Sequence, residues 1–306
     1  MDEEFLTQLR GLSPVRLDEP MSRHTTFGVG GPADYYAVAA SEDQLLALTD
    51  AARRHGVPFF VLGSGSNILV GDAGIRGLVI ENHCTGCGEP VPHNGSFRLR
   101  AASGSSFAAL ARRMAHAGLA GLEWACGIPG TLGGAVVYNA GAYGGCLADV
   151  LLSVRIANSN GEHDVPAADL ELAYRGSAFT RGLLENKAVL SATFRLLRGD
   201  AAQLMERVSE LDRRRLAAQP RGRNAGSIFK NAPEHPAWWL IDQVGLKGHR
   251  IGEAVISPKH ANFFINAGHA RAADVKALIE LARERVTARF GIELELEVAL
   301  VGEGFR

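Results

Sequence analysis

The stretch LGSGSNILVGDAGIRGLVI, Leu62–Ile80, places glycines and serines between two apolar segments. The segment that precedes it, PFFVL at Pro58–Leu62, has the aromatic and β-branched residues that predict a strand. Because glycine has no Cβ and adopts positive φ, the backbone amides of Gly63–Asn67 can converge on an anion. The stretch predicts either a surface turn or a loop that binds phosphate. It is neither a P-loop, which needs G-K-[ST], nor the G-x-G-x-x-G that opens a dinucleotide-binding helix.

A second glycine-rich block, GIPGTLGGAVVYNAGAYGG, occupies Gly127–Gly145. Thr131 supplies a hydroxyl donor there, as Ser64 and Ser66 do in the first block. One such block is weak evidence of phosphate binding. Two blocks, one of which has an apolar Ile-Pro beside its glycines, indicate a larger ligand with both a pyrophosphate and a flat ring.

The length of the chain, 306 residues, favours two or three domains over one. Its net charge of -1 gives no general attraction to nucleic acid or to an anionic membrane. The N-terminal sequence MDEEFLTQLRGLSP is acidic and has no signal-peptide core, and no apolar run reaches the roughly 18 residues of a membrane helix. We therefore expect a cytoplasmic monomer that binds neither nucleic acid nor membranes.

Hydrophobic periodicity mixes helices and strands without strict alternation, which predicts an α+β fold. Helices are predicted at Glu42–His55, Ser105–Ala117, Ala201–Ala218 and Ala272–Phe290. Strands are predicted at Asp34–Ala39, Phe59–Leu62, Gly77–Glu81, Phe97–Ala101, Leu151–Ala157, Ala188–Leu197 and Ile292–Val301. The glycine-rich blocks end before Arg198–Asp200, so we predict an N-terminal segment over 1–30, a first domain over 31–198 and a second domain over 199–306.

Cys84 and Cys87 form a C-x-x-C motif beside His83. A redox pair of this kind opens a helix, and the glycines and prolines around the motif disfavour one. A zinc ribbon needs a second close pair, but Cys126 and Cys146 are isolated. We interpret the motif as a loop of free thiols, and we predict no metal site.

Six stretches in a fixed order resemble the UDP-N-acetylenolpyruvoylglucosamine reductase (MurB) family of peptidoglycan precursor synthesis. They are RHTTFGVGGPADYY from Arg23, the stretch from Leu62, GLEWACGIPGTLGGAVVYNAGAYGG from Gly121, YRGSAF from Tyr174, GSIFKN from Gly226 and ELELEVALVGE from Glu293. The resemblance implies an FAD-binding domain of the vanillyl-alcohol-oxidase-like (PCMH) type followed by a smaller α+β substrate domain. It also implies that NADPH reduces FAD, which then reduces the enolpyruvyl ether of a UDP-sugar to UDP-N-acetylmuramate.

The chain departs from the usual family pattern at Arg23, Tyr138 and Leu296, none of which removes a polar group that the chemistry needs. The connection after YRGSAF has no long insertion, so the chain is similar to the shorter, type II branch of the family, which lacks the substrate tyrosine of an inserted loop.

The resemblance assigns FAD to the two glycine-rich blocks. The residues concerned are Gly63, Ser64, Gly65, Ser66, Asn67, Gly127, Ile128, Pro129, Gly130, Thr131, Gly133, Gly134 and Ala135. Many oxidases of this fold bind flavin covalently through a histidine beside the pyrophosphate loop. No histidine lies within Leu62–Val70, so we expect FAD that dissociates.

The resemblance also assigns three catalytic roles. Arg175 would hold the substrate carboxylate, because a guanidinium can meet two oxygens at once. Ser227 would protonate the α-carbon, although a serine after Gly226 also suits a turn or a helix cap. Glu297 would be turned into the active site, where it would pair with Arg175 or polarise the proton path. Strand alternation places it on the same face as Glu295, so only the resemblance singles it out.

Contacts to the UDP-sugar are expected from Tyr174, Lys230, Asn231, His260 and Asn262. For His260 a structural hydrogen bond is an equal alternative, and Trp238 and Trp239 are interpreted as core anchors of a helix. Two other functions stay open from the sequence: an FAD-linked oxidase of the same fold, and a sugar-nucleotide binding protein without redox activity.

Overall fold

A computed structural model describes residues 3–158, 161–184 and 187–305. The ends of the predicted ranges at Met1 and Arg306 lie outside these residues. The helices are α1 Glu3–Leu12, α2 Glu42–Arg54, α3 Phe107–His116, α4 Leu132–Val137, α5 Ala201–Ala218, α6 Ala237–Gln243 and α7 Ala272–Phe290. The strands are β1 Val15–Pro20, β2 Pro32–Ala39, β3 Phe59–Leu62, β4 Ile68–Val70, β5 Ile75–Asn82, β6 Val91–His93, β7 Ser96–Ala102, β8 Leu119–Ala120, β9 Gly141–Ala142, β10 Gly145–Cys146, β11 Leu151–Asn158, β12 Gly161–Pro166, β13 Ala188–Arg198, β14 Arg250–Ile251, β15 Ala254–Ile256, β16 Phe264–Asn266 and β17 Ala299–Val301.

The chain forms two compact units, each built from three separate segments. Unit 1 contains Met1–Val15, Ala37–Gly63 and Leu78–Arg215, and unit 2 contains Arg16–Tyr36, Ser64–Gly77 and Leu216–Arg306. The predicted division into the contiguous ranges 1–30, 31–198 and 199–306 differs from these two units, whose segments alternate along the chain. The predicted division stays a prediction.

Unit 1 is organised by an antiparallel sheet in the order β12-β11-β13-β7-β6, with β8 paired to the end of β13. Its central strand β13 alternates inward side chains such as Phe194 and Leu196 with exposed ones such as Arg195, as one buried face requires. Buried residues of α3 and α4, including Phe107 and Leu132, complete this core. The second glycine-rich block, which includes α4, is thereby attached to a packed scaffold.

Unit 2 contains the three-stranded antiparallel sheet β14-β15-β16, the parallel pair β17-β4, and helices α6 and α7. Helix α7 buries residues at three-to-four spacing, among them Val275, Leu278 and Ile279. It ends at Gly291, which adopts φ 67°, and its first amides donate to the carboxylate of Asp72. Helix α7 packs against the segments that carry Ser227 and Glu297, because apolar residues of the helix and of both segments belong to one buried cluster.

The four predicted helices are confirmed as α2, α3, α5 and α7, and the α+β class is confirmed. The strand predicted over Ile292–Val301 is wrong for most of its length, because only Ala299–Val301 forms a strand. The chain bends at Glu297 and Val298, where both amides donate to the carbonyl oxygen of Ile228, at 2.8 and 3.3 Å. Two consecutive amides on one carbonyl is the pattern of a β-bulge, which sequence alternation does not reveal.

The two adjacent tryptophans of α6 have different environments. Trp239 packs against the core of unit 2, as predicted, with its ring near Phe290 and stacked on His235. Trp238 is 39% exposed, so its interpretation as a core anchor is wrong. The cause is helical geometry, because neighbouring positions on a helix point about 100° apart and a short amphipathic helix buries only one of them.

The C-x-x-C motif lies in a loop, and Cys84 and Cys87 are both free thiols. Burial raises the pKa of Cys84 to about 11, and the nearby carboxylate of Glu42 contributes to the shift. Burial also raises the pKa of Cys87. Both thiols are therefore protonated near neutral pH, whereas redox chemistry needs a thiolate.

Candidate functional site

The first glycine-rich loop presents backbone amides. Within the described part of the chain, the amides of Ser64, Gly65 and Asn67 donate to no acceptor, whereas the carbonyl of Gly65 accepts from Thr26 N at 3.1 Å. The carbonyl of Asn67 likewise accepts from Ala299 N at 3.0 Å. The loop therefore uses its carbonyls for packing and leaves amides for a ligand, which is the donor set of an anion site.

Gly65 is held closely against a buried polar network in unit 2. It adopts φ 61°, and a Cβ at this position would overlap the carbonyl oxygen of His24. The His24 ring is fixed by Glu19 through Nε2 at 3.0 Å and by Tyr36 through Nδ1 at 3.1 Å. The hydrogen bond with His24 and the charge of Arg16 lower the pKa of the Glu19 carboxyl, so this acceptor is ionised at neutral pH.

The second block lies beside the start of the first in unit 1. A Cβ at Gly63 would overlap the hydroxyl of Thr131, so the two blocks approach each other at that point. Thr131 caps α4 by accepting from Gly134 N at 3.5 Å, and Gly133 N donates to Ser103 O at 2.7 Å. Glycine is required here for close approach, because a larger residue at Gly63 would separate the blocks.

Ser227 lies in a short extended segment that is held from both sides in unit 2. Ser227 pairs with Phe263 on one side, and Phe229 pairs with Leu296 on the other. The side chain of Asn262 accepts from Phe229 N at 2.9 Å and donates to Phe229 O at 2.8 Å. All of these bonds use backbone groups of the segment, so the half-buried side chain of Ser227 is not needed to hold it in place.

Glu295 and Glu297 have different surroundings in the structure, a difference that the alternation of the sequence could not predict. Glu295 is exposed and forms an ion pair with Lys230, Nζ to Oε2 at 3.3 Å. Glu297 is half-buried at the bulge, next to the segment of Ser227. Its carbonyl also accepts from the side chain of Asn67 at 3.1 Å, so a hydrogen bond joins the first glycine-rich loop to Glu297.

Arg175 occupies a tight turn of unit 1 in an unusual backbone conformation. It adopts φ 53° in the turn Ala173–Gly176, at a position where glycine is usual. Its guanidinium donates to Gly141 O at 2.6 Å and lies 5.2 Å from the ring centre of Tyr174. The buried side chain of Asn139 holds the turn by donating to Ala173 O at 2.8 Å. Such a backbone conformation persists only where the surroundings hold it, and the catalytic role of Arg175 stays a prediction.

The predicted substrate contacts of unit 2 have different surroundings. Asn231 accepts from Ala237 N at 3.1 Å, and Asn262 is buried with its amide engaged by Phe229. His260 is half-buried, and within the described residues its buried Nδ1 has no hydrogen-bond partner. Burial and the charge of Lys247 lower the pKa of His260, so its ring is neutral at pH 7. Direct contact of these residues with substrate stays a prediction.

Two basic residues that the sequence did not single out lie near predicted site residues: Arg215 near Gly127, and Lys247 near His260. Arg215 packs over Gly127, where a Cβ would lie 2.6 Å from Arg215 Cδ, and burial lowers the pKa of this arginine. Lys247 is held by Asp242 at 2.7 Å and lies close enough to His260 to affect it. Neither position stands out in the sequence, because arginines at the end of a charged helix and a lysine in a turn are ordinary surface features.

Family models match both parts of the chain. One described as an FAD binding domain matches residues 33–164, and one described as the C-terminal domain of UDP-N-acetylenolpyruvoylglucosamine reductase matches residues 218–301. A reductase of that name from Chloroflexus aggregans is 43% identical, over 94% of this chain and 97% of its own. The chain belongs to the UDP-N-acetylenolpyruvoylglucosamine reductase family.

Other members of the reductase family agree over nearly the full length. The relative from Lachnoclostridium phytofermentans is 37% identical and covers 99% of both chains. The crystal structure of the Thermus caldophilus reductase has 34% identity and a TM-score of 0.76, and covers 94% of this chain and 98% of its own. The predicted FAD-binding domain and the C-terminal domain of this family are confirmed.

The residues present fit FAD. The amides of Ser64, Gly65 and Asn67 are donors suited to a pyrophosphate, and the hydroxyl of Thr131 lies beside Gly63. Within the described residues no three histidine, cysteine or acidic side chains are grouped to hold a metal ion. Nor does any described helix combine the length and apolarity needed to cross a bilayer.

We predict that Gly65→Ala weakens FAD binding at least tenfold, because a Cβ there both strains the backbone and overlaps His24. The matched control is Gly56→Ala, since Gly56 has nearly the same φ of 63° but open space around its Cβ. The control should lose only about 1 kcal/mol of stability and keep its FAD affinity. Titration of the apo-proteins with FAD, followed by flavin fluorescence, checks this. Equal affinities of the two variants would contradict a close-packed phosphate loop.

Proposed function

We propose that this chain reduces UDP-N-acetylenolpyruvoylglucosamine to UDP-N-acetylmuramate, with NADPH as the reductant and FAD as the carrier of hydride. The observation that carries the proposal is the arrangement of unit 2, where the Ser227 segment and the bulge at Glu297 are hydrogen-bonded to each other through Ile228. Membership of the reductase family supports the substrate and the reaction. We also propose a monomer in the cytoplasm, the compartment where NADPH and nucleotide sugars are made.

Bound FAD supplies the hydride that is added to the β-carbon of the enolpyruvyl group. The protein must then hold the carboxylate, stabilise the negative charge that develops beside it, and deliver a proton to the α-carbon. Arg175 suits the first task, because its strained turn holds a permanently charged guanidinium in a fixed direction.

Ser227 is suited to delivering the proton. Ser227 is half-buried. Within the described residues, the hydroxyl of Ser227 donates to no acceptor and caps no helix. A turn or cap serine would spend its oxygen on a nearby amide, which is the alternative that the sequence left open. A neutral hydroxyl is a weak acid, but an enolate carbon is a strong base, so placement matters more than a lowered pKa.

Glu297 is suited to the proton path. It lies one residue beyond Leu296, which pairs with Phe229, and its amide donates to Ile228 O at 2.8 Å. The carboxyl can therefore polarise a hydroxyl or a water next to the Ser227 segment, while Glu295 faces solvent and pairs with Lys230. The bulge is what directs these two acids differently.

The proposed function is tested by an NADPH oxidation assay on the FAD-loaded protein, with and without the enolpyruvyl sugar nucleotide. We expect rapid oxidation only with the substrate, with UDP-N-acetylmuramate as the product. A protein that binds the nucleotide but is never reduced by NADPH would be a sugar-nucleotide binding protein. Rapid reoxidation by oxygen without the nucleotide would indicate an oxidase.

We predict that Ser227→Ala keeps NADPH-dependent flavin reduction and substrate binding but slows flavin reoxidation by substrate at least a hundredfold. Ser227→Cys retains a proton donor at nearly the same position and should recover part of the rate. Stopped-flow absorbance of the pre-reduced variants mixed with substrate measures this. If Ser227→Ala reoxidises at the wild-type rate and merely unfolds more easily, Ser227 is a structural residue.

We predict that Glu297→Gln slows the same reoxidation step on the order of 10²–10³-fold, because the carboxylate that polarises the proton donor is lost. Glu295→Gln is the matched control, since it removes an identical carboxylate two residues away that is exposed and paired with Lys230. The control should reoxidise normally, because exposed ion pairs contribute little. Equal slowing of both variants would show that the bulge does not distinguish the two acids.

A further inference from the structure

Trp238 is an exposed aromatic ring on a helix whose other face is buried. It is 39% exposed on α6, while Ala237, Leu240 and Ile241 on the same helix are buried. A single exposed apolar residue is ordinary on a protein surface and is not evidence of a site. What makes Trp238 informative is the set of polar groups around it.

The ring of His260 lies next to Trp238, with ring centres 6.2 Å apart and planes inclined by 53°. His260 also packs edge-on against Phe263, at 4.8 Å between centres. Its buried Nδ1 has no partner in the described part of the chain, although buried polar atoms of proteins are nearly always hydrogen-bonded. His260 thus keeps an unused hydrogen-bonding nitrogen in the ring next to Trp238.

A positive charge is held on the same side of α6. Asp242 follows Trp238 by four residues, so the two side chains lie on one face of the helix. Asp242 accepts from Lys247 Nζ at 2.7 Å; burial, and to a smaller extent the charge of this lysine, lower the pKa of His260. A flat apolar ring, an imidazole nitrogen without a partner and an ammonium group that is paired with Asp242 thus lie near one another.

This combination matches the chemistry of a nucleotide. A base stacks on an indole, a ring nitrogen of histidine bonds a polar edge, and an ammonium group meets a phosphate. We propose that Trp238 is a binding residue that stacks the uracil base of the nucleotide substrate. The proposal rests on the proposed function, which supplies a uridine nucleotide. The same ring chemistry could also accept a base of NADPH, and the experiment below distinguishes the two.

The test compares wild type with Trp238→Ala and Trp238→Phe by calorimetric titration with UDP, NADP⁺ and inorganic pyrophosphate. We expect Trp238→Ala to raise the Kd of UDP about tenfold and Trp238→Phe to restore most of the affinity, because a smaller ring still stacks. Pyrophosphate affinity should not change. In turnover, the KM for the enolpyruvyl nucleotide should rise with kcat unchanged. The control Trp239→Phe, in the half-buried neighbour that packs on the core, should leave the Kd of UDP unaltered.

Each outcome decides the proposal. A selective loss of UDP affinity supports it, whereas a selective loss of NADP⁺ affinity would overturn uracil in favour of the base of the other nucleotide. Equal loss of UDP and pyrophosphate affinity, or no loss at all, would overturn stacking altogether. UDP binding is measured without turnover, so a chain that binds UDP through Trp238 but does not reduce the substrate would refute the proposed function and not this inference.

Discussion

Two buried hydrogen bonds between the side chain of Asn262 and the backbone of Phe229 fix the segment on which the site depends. On the opposite edge, the same segment receives the amides of Glu297 and Val298 at the carbonyl of Ile228. The side-chain amide of Asn262 bonds both the backbone N–H and the backbone C=O of Phe229, as a neighbouring strand would. It thereby pairs two backbone groups that burial would otherwise leave unpaired. Ser227 and Lys230 lie at the ends of this segment, so their positions follow from it.

The first glycine-rich loop, Gly63–Asn67, is also held by backbone hydrogen bonds, but there the carbonyls are bonded within the protein and amides are left without acceptors. The carbonyls of Gly65 and Asn67 are bonded to Thr26 and Ala299, and within the described residues the amides of Ser64, Gly65 and Asn67 remain for an anion. The side chain of Asn67 then donates to the carbonyl of Glu297, so within unit 2 this loop and the bulge are one hydrogen-bonded structure. Substitutions that loosen either part should therefore affect flavin binding and proton delivery together.

Much of this could be predicted from the sequence, and the failures have physical causes. The long helices were predictable because apolar spacing and terminal glycines act locally, as in α7 with Gly291. The strand over Ile292–Val298 was not, because a bulge depends on the partner Ile228 and leaves alternation intact in the sequence. Trp238 and Trp239 could not be separated, since which face of a seven-residue helix is buried is decided by tertiary packing. The resemblance of motifs supplied Arg175, Ser227 and Glu297, but the strain at Arg175 appears only in the structure.

In the proposed mechanism, the protein delivers solvent-derived hydrogen to the α-carbon while the reductant's hydride reaches the β-carbon. It is tested most directly by one turnover with unlabelled NADPH in D₂O, after which the lactyl product is analysed by NMR and mass spectrometry. A reduced flavin can exchange its hydrogen with solvent, so the reaction is run as a rapid single turnover from a freshly reduced enzyme and the α-position is read. We expect one deuterium at the α-carbon, with a single stereochemistry. An α-carbon that carries unlabelled hydrogen, or deuterium in both stereochemical forms, would contradict delivery by a protein group held beside the bulge.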